Sequence, residues 1–233
     1  MRAPPRVIVT REAERATGLM AALRRAGTEP VPVPVLRTDP PADGGRALSD
    51  ALAAADADWL VLTSAQAVAA VARHGGYRGR VAVVGDATGR AAGAVGLDVT
   101  LVSAMADAAS LAEAVVRGGG SSALVAAADI ARPELAERLR TAGWRVEVVE
   151  AYRTVAAPPA GPVEADAITF LSPSAVAAWL AGVPADRTPA IVATIGPTTS
   201  EAARAGGLDV TCEARPRTVA GLVEALAAVL FRR

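Results

Sequence analysis

Lysine is absent from this chain of 233 residues, and histidine and cysteine occur once each, as His74 and Cys212. Each scarcity closes off a chemistry. Without lysine there is no Walker-type phosphate loop, so ATP hydrolysis ranks low. A single cysteine permits neither an intrachain disulfide nor a thiolate metal cluster. A single histidine removes imidazole-rich metal sites and a serine–histidine relay. Aromatic residues are few, with three Trp, two Tyr and two Phe, which leaves little to stack on nucleic-acid bases. The 24 basic residues, all arginine, balance 24 acidic ones. No net field therefore draws a nucleic acid, although a local basic patch would still attract a small anion. No apolar run has the length and character of a membrane span. The first expected strand starts by residue 6, which leaves no room ahead of it for a signal peptide. The expected compartment is the cytoplasm.

What the chain does have is repetition. AVVGDATGRAAGAVGLDVT, from residue 82, returns as ATIGPTTSEAARAGGLDVT, from residue 193. WLVLTSAQAVAAVARHG (59–75) returns as AITFLSPSAVAAWLAG (167–182). A third unit, the strand RVIVT (6–10) with a helix ending at Gly27, returns as ALVAA (123–127) with a helix around PELAERLRTAG. Each unit is an apolar run of four to six residues, a polar turn and a helix of about twelve residues, the rhythm of parallel strands covered by helices. The expected fold is α/β, with two similar doubly wound lobes.

The order of the units sets the expected partition. The third unit precedes the first long block but follows it in its second copy. Residues 1–33 are therefore expected to pack with 160–233, and 40–148 to form the other lobe. The chain would cross between them in 34–39 and 149–159, and the two crossings could pair as an antiparallel ladder. A simple tandem of 1–120 and 121–233 is the alternative.

In an open α/β sheet, ligands bind beyond the carboxyl ends of the strands, where helix amino ends present free N–H groups. Thr63 and Ser64, Thr88, Ser172 and Ser174, and Thr198 and Thr199 all fall at such ends. Singly, each reads as a helix cap, and Gly85 and Gly196 as tight turns. Together, the four turns would line a cleft between lobes with donors suited to carboxylates or phosphates. The glycines lack the G-x-G-x-x-G spacing of a dinucleotide site. Arg11, Arg132, Arg153 and Arg217 are the cationic candidates, since arginine suits bidentate carboxylate contacts. Each also reads as a solvated surface charge. His74 reads as a helix-end residue, Cys212 as a small buried hydrophobe in a strand, and Trp59, Trp144 and Trp179 as packing residues. Tyr152 stands in the second crossing, with a phenol that can donate a hydrogen bond or a proton.

VIVTR, DWLVLTSAQAV, VAVVGDAT, VVEAYRTV, ITFLSPSAV, ATIGPTT and TVAGLVEAL, in this order over essentially the whole chain, resemble the uroporphyrinogen-III synthases. No one of these motifs is specific; the ordered set carries the likeness. The resemblance implies a cytoplasmic, cofactor-free, monomeric lyase of tetrapyrrole biosynthesis. Such an enzyme cyclises linear hydroxymethylbilane with loss of water and inversion of the last ring. It implies a small-molecule substrate, no nucleic acid, no membrane, and at most transient contact with the preceding pathway enzyme. By the same resemblance Tyr152 is the catalytic candidate. Arg11, Thr63, Ser64, Thr88, Ser172, Ser174, Thr198 and Thr199 are substrate-binding candidates, with Arg132, Arg153 and Arg217 behind them. The segment AADIARPEL departs from many relatives, with Asp129 ahead of Arg132 where they place a basic or glycine-rich turn. The non-enzymatic alternative is a two-lobed receptor for a small anion.

Overall fold

In the computed structural model, residues 3–54, 56–103, 105, 107–131 and 133–232 are described. The chain begins with β1 (Arg6–Val9), α1 (Ala13–Arg25) and β2 (Glu29–Pro32), then β3 (Leu36–Asp39) and α2 (Arg46–Ala54). Three strand–helix units follow: β4 (Trp59–Leu62) and α3 (Ala65–Arg73), β5 (Arg80–Val83) and α4 (Gly85–Ala94), β6 (Val99–Val102) and α5 (Ala108–Arg117). β7 (Ser122–Ala128), α6 (Glu134–Thr141) and β8 (Arg145–Ala156) come next. The last are β9 (Ala167–Phe170), α7 (Pro173–Leu180), β10 (Ile191–Thr194), α8 (Pro197–Ala205), β11 (Val210–Glu213) and α9 (Val219–Leu230). The stretch from Arg145 into the second crossing, which the sequence divides into a strand and a linker, is one twelve-residue strand, β8, ending at Ala156.

Two compact units result, 1–37 with 155–233, and 38–154. The first unit's sheet runs β11-β10-β9-β1-β2 and the second's β3-β8-β7-β4-β5-β6. Neighbours from β11 to β2 are all parallel, as are those from β8 to β6. If each order starts at β9 or β4, the two become the same sequence of strands, third-second-first-fourth-fifth. In the second unit these strands follow in chain order. In the first, the fourth and fifth are β1 and β2, from the start of the chain.

Both sheets are buried on two faces, which is why the strands read as continuous apolar runs rather than alternations. In WLVL, Leu60 and Leu62 pack with Val68 and Val71 of α3, while Trp59 and Val61 turn to Leu111 of α5 and Leu139 of α6. In the first unit Ile8 joins Val176 and Trp179 of α7, and Val7 and Val9 join Leu19, Leu23 and Leu222 of α1 and α9. Period-2 alternation of the side chains thus feeds a helix layer on each face. Trp59, Trp144 and Trp179 are all buried.

The amino ends of the central strands are tied by an aspartate in each unit. Asp166 accepts the backbone N–H of Arg6 at 2.7 Å. Asp58, at the equivalent place before β4, accepts the N–H groups of Ser121 and Ser122 at 2.7 and 3.0 Å and the Ser122 hydroxyl at 3.0 Å. Beside it, Arg80 lies 4.4 Å over the Trp59 ring and donates to the Gly118 carbonyl. These contacts leave the opposite, carboxyl ends of the strands for a ligand.

Candidate functional site

Strand order locates the ligand end within each unit. The helices leave the sheet in opposite directions where the order reverses, between β4 and β7 and between β9 and β1, and a crevice opens beyond the strand ends there. In the second unit that position holds a cavity of about 430 Å³ lined by Thr63, Ser64, Asp129, Arg140 and Tyr152, with Ala127, Ala128 and Val148 among its apolar walls. Small residues at 127 and 128 leave the space open; larger side chains there would fill it.

Ser64 joins the turn to the phenol. It is the N-cap of α3, in extended backbone, and its Oγ accepts the N–H of Ala67 at 3.2 Å. The same hydroxyl donates to the Tyr152 oxygen at 3.1 Å. A hydroxyl has one proton to give, so the Ser64 proton is committed to Tyr152, and the phenolic proton stays available. Tyr152 pairs in register with Ala128, just past a register shift in the β7–β8 ladder. The carbonyl of Tyr152 accepts the N–H of Asp129 at 3.1 Å. The Asp129 carboxylate in turn accepts the N–H of Thr154 at 3.0 Å. Arg153 stands 3.9 Å from Asp129 and 3.6 Å from Glu150, so its charge is shared by two carboxylates. Arg140 donates to the carbonyl of Val146.

In the first unit the equivalent turn carries Ser172, which caps α7 through the N–H of Ala175 at 3.2 Å and bonds the Ser174 hydroxyl at 3.0 Å. Across the switch point, at the end of β1, stand Thr10 and Arg11. Thr10 is buried and donates to the carbonyl of Thr169 at 2.8 Å. Burial, reinforced by Arg15 and opposed by Glu12, draws the Arg11 guanidinium below its ordinary range. It stays charged at any physiological pH, which leaves a half-buried cation at a strand's carboxyl end.

The glycine–threonine turns open α4 and α8. Thr88 and Thr199 occupy equivalent positions and both are buried, at 6% and 1% exposure, so their side chains face the fold. Thr198 is exposed. Over this second turn lies Arg217: a Cβ added at Gly196 would stand 2.6 Å from its Nε. Glycine at 196 is therefore what lets the arginine side chain cross the amino end of α8.

Thr63, Ser64 and Tyr152 thus line one cavity; Ser172 and Ser174 meet; Arg217 and Thr198 flank one turn. Thr88 is not among the residues lining the cavity, and Arg153 is engaged by carboxylates. Arg132 lies outside the described residues. Cys212 is half-buried rather than fully enclosed, and burial pushes its thiol upward, away from the reactive thiolate. Among the described residues no cluster of histidine, cysteine, aspartate and glutamate is placed to hold a metal. Asp129 and Arg140 escaped the sequence reading as lining residues: the β7–β8 register brings Asp129 to Tyr152, and the bond to the Val146 carbonyl holds Arg140 of α6 against β8. A network of buried Thr194 and Ser200 with half-buried Glu213 also escaped it, although the aligned repeats carry its signal.

A chain of two parallel α/β sheets, with hydroxyl-bearing turns at their ligand ends and a tyrosine-lined cavity, is an α/β enzyme scaffold. The family described as "Uroporphyrinogen-III synthase HemD" matches residues 18–224. The chain belongs to the uroporphyrinogen-III synthase family. It is similar to "Uroporphyrinogen-III synthase, chloroplastic" of Oryza sativa subsp. japonica, with 30% identity over 224 residues, 88% of this chain and 74% of that protein. Among solved structures, the uroporphyrinogen-III synthetase of Helicobacter pylori shares the fold at a TM-score of 0.65 and 12% identity, over 98% of this chain and 100% of that one. A mutant uroporphyrinogen III synthase of Thermus thermophilus does so at 0.61 and 20%, over 97% and 98%.

Proposed function

We propose that this chain performs its family's reaction, closing hydroxymethylbilane to uroporphyrinogen III with loss of water, and that Tyr152 is the donor that helps the hydroxyl leave. The single observation behind this assignment is the directed hydrogen bond from Ser64 to the Tyr152 oxygen inside the lined cavity. Ala67 N–H, Ser64 O–H and Tyr152 O–H form a chain in which each donor polarises the next, beginning at the positive end of α3. The phenol at its far end is the strengthened donor. The carbon–oxygen bond of the hydroxymethyl group breaks as the pyrrole nitrogen supplies electrons, and the departing oxygen takes the proton offered to it. The terminal ring then attacks through its substituted carbon. Its migration and the final ring closure release a proton that returns to the phenolate.

Most of the remaining work is orientation. A flexible linear substrate closes spontaneously to the wrong isomer unless its ends are held, and holding reacting groups together replaces part of the barrier. The cation of Arg11, the Arg217–Thr198 turn and the Ser172–Ser174 pair are the carboxylate anchors in this reading, with Thr63 beside the reacting group. Thr88 and Thr199 act from within the fold, through the turns that they hold. Arg153 balances Asp129 and Glu150 rather than meeting substrate. The protein is a monomer of the cytoplasm in this reading, although the rice relative is chloroplastic by name. No described helix is long and apolar enough to cross a membrane.

Purified protein mixed with hydroxymethylbilane, with product isomers resolved, tests the assignment. Isomer III should form, and Tyr152→Phe should slow it while leaving the fold intact. Binding without turnover would instead indicate a receptor, and an unchanged rate in Tyr152→Phe would remove the tyrosine from catalysis.

A further inference from the structure

Three positions differ together between the two repeats. Where the second unit has Val83, Gly89 and Val102, the first has Thr194, Ser200 and Glu213. The three are neighbours in space in both units. A Cβ added at Gly89 would touch Val102 at 3.5 Å and Val83 at 3.6 Å. In the first unit the same places form a hydrogen-bonded chain: Thr194 Oγ1 and Ser200 Oγ are 2.7 Å apart, and Ser200 donates to the Glu213 carboxylate. Thr194 and Ser200 are fully buried, and Glu213 is half-buried on the edge strand β11.

The direction of this chain follows from its end. An ionised carboxylate only accepts, so Ser200 gives its proton to Glu213 and must take one from Thr194. Burying two hydroxyls and part of a carboxylate, where the other unit has valine and glycine, carries a desolvation cost that an apolar trio avoids. A structural explanation alone therefore does not account for them. Their location supplies one. Ser200 lies in the first turn of α8: its N–H donates to the Gly196 carbonyl at 3.0 Å, and its one hydroxyl proton, given to Glu213, is shared with that carbonyl at the longer distance of 3.3 Å. Gly196 is the residue over which Arg217 lies, and Thr198 stands exposed two residues further on.

We infer that Glu213 is a positioning residue for substrate binding: through Ser200 it holds the Gly196–Thr199 turn, so that Arg217 and Thr198 meet a substrate carboxylate in fixed geometry. This rests on the reading of that turn as a carboxylate anchor. The carboxylate of Glu213 does not itself meet the substrate, which it would repel. The second unit's turn has an apolar trio in place of this brace, and the inference assigns it correspondingly less of the anchoring.

Glu213→Val installs the second unit's own residue. It should raise KM for hydroxymethylbilane about fivefold to tenfold with kcat within about twofold, the signature of lost uniform binding. Glu213→Gln, which still accepts the Ser200 proton, should restore KM to within about twofold of the unaltered protein. Should Glu213→Val not fold, Thr194→Val keeps the packing volume, breaks the far end of the chain and should raise KM about twofold. The control is Thr198→Val. If it raises KM while Glu213→Val, Glu213→Gln and Thr194→Val leave KM unchanged, the positioning role is wrong and the anchor stands. If Thr198→Val also leaves KM unchanged, the turn is no anchor and the inference falls with it.

Discussion

Ser64 and Ser172 start their helices with almost the same backbone, φ −155° and ψ 156° against φ −158° and ψ 155°. Each caps through the N–H three residues on. Beyond the cap they part. Ser64 gives its proton to a tyrosine in a cavity, whereas Ser172 bonds its neighbour Ser174. The same divergence recurs across the switch points. One unit presents Ala127 and Ala128, which leave space, and the other Arg11, which supplies charge. The repeated scaffold is the same in both units, and a few side chains distinguish them; in the proposed reading these differences give one unit the bond breaking and the other the carboxylate binding.

This contrast can be broken experimentally, and the largest effect should come from its centre. Tyr152→Phe is expected to lower kcat about 100-fold, the low end of general-acid contributions, with KM little changed. Next in size is the arginine laid over the turn. Arg217→Ala should raise KM about tenfold, as expected for loss of a hydrogen bond to a charged group. Gly196→Ala should do much the same, because its methyl would displace the guanidinium. The double variant should then be no worse than either single one. Pre-steady-state binding measurements beside turnover would check both.

A smaller effect sharpens the comparison directly. Ser64→Ala and Ser172→Ala remove matching caps, and each should cost about 1 kcal/mol of stability in denaturant titration. Only Ser64→Ala should also lower kcat; Ser172→Ala should act on KM. Equal kinetic effects would erase the division of labour. At the opposite sheet edge the two aspartates differ more quietly. The Ser121 N–H, followed by the Ser122 hydroxyl, holds the Asp58 carboxyl below the usual carboxylate range, against the opposing effect of burial. A depressed folded value means that the stabilisation is present above the unfolded value of about 3.9 and is lost as pH falls through the folded one. Thermal melts should show Asp58→Asn destabilised at neutral pH, with the gap to the unaltered protein closing below about pH 4. Asp166→Asn, which weakens the single bond to the Arg6 N–H, should be the less destabilised of the two at neutral pH.

Much of the scaffold was legible because duplication made each motif its own control. Buried runs such as WLVL and AITF announced parallel strands, and the serine and threonine ends of those runs announced the turns. Long-range register was not legible. Nothing local to Asp129 shows that it lies beside the tyrosine, since that follows from a register shift between β7 and β8. Nor did the threonines reveal which hydroxyl faces inward: Thr198 and Thr199 look interchangeable in sequence, yet helix phase exposes one and buries the other. The continuous β8 was divided on reading because its first half alternates as a sheet strand and its second resembles a linker. Helix α2 is not legible in the sequence, because PPADGG reads as a breaker; Asp43 closes that turn onto the helix start by accepting the N–H groups of Gly45 and Ala47 at 2.8 Å.

The most direct test is a double-mutant cycle on Ser64 and Tyr152, read as the rate of isomer III formation. If the serine works through the phenol, Ser64→Ala will slow the unaltered enzyme several-fold but leave kcat of the Tyr152→Phe enzyme unchanged, a strongly non-additive cycle. Multiplying losses, or a Tyr152→Phe enzyme as fast as its parent, would contradict the account.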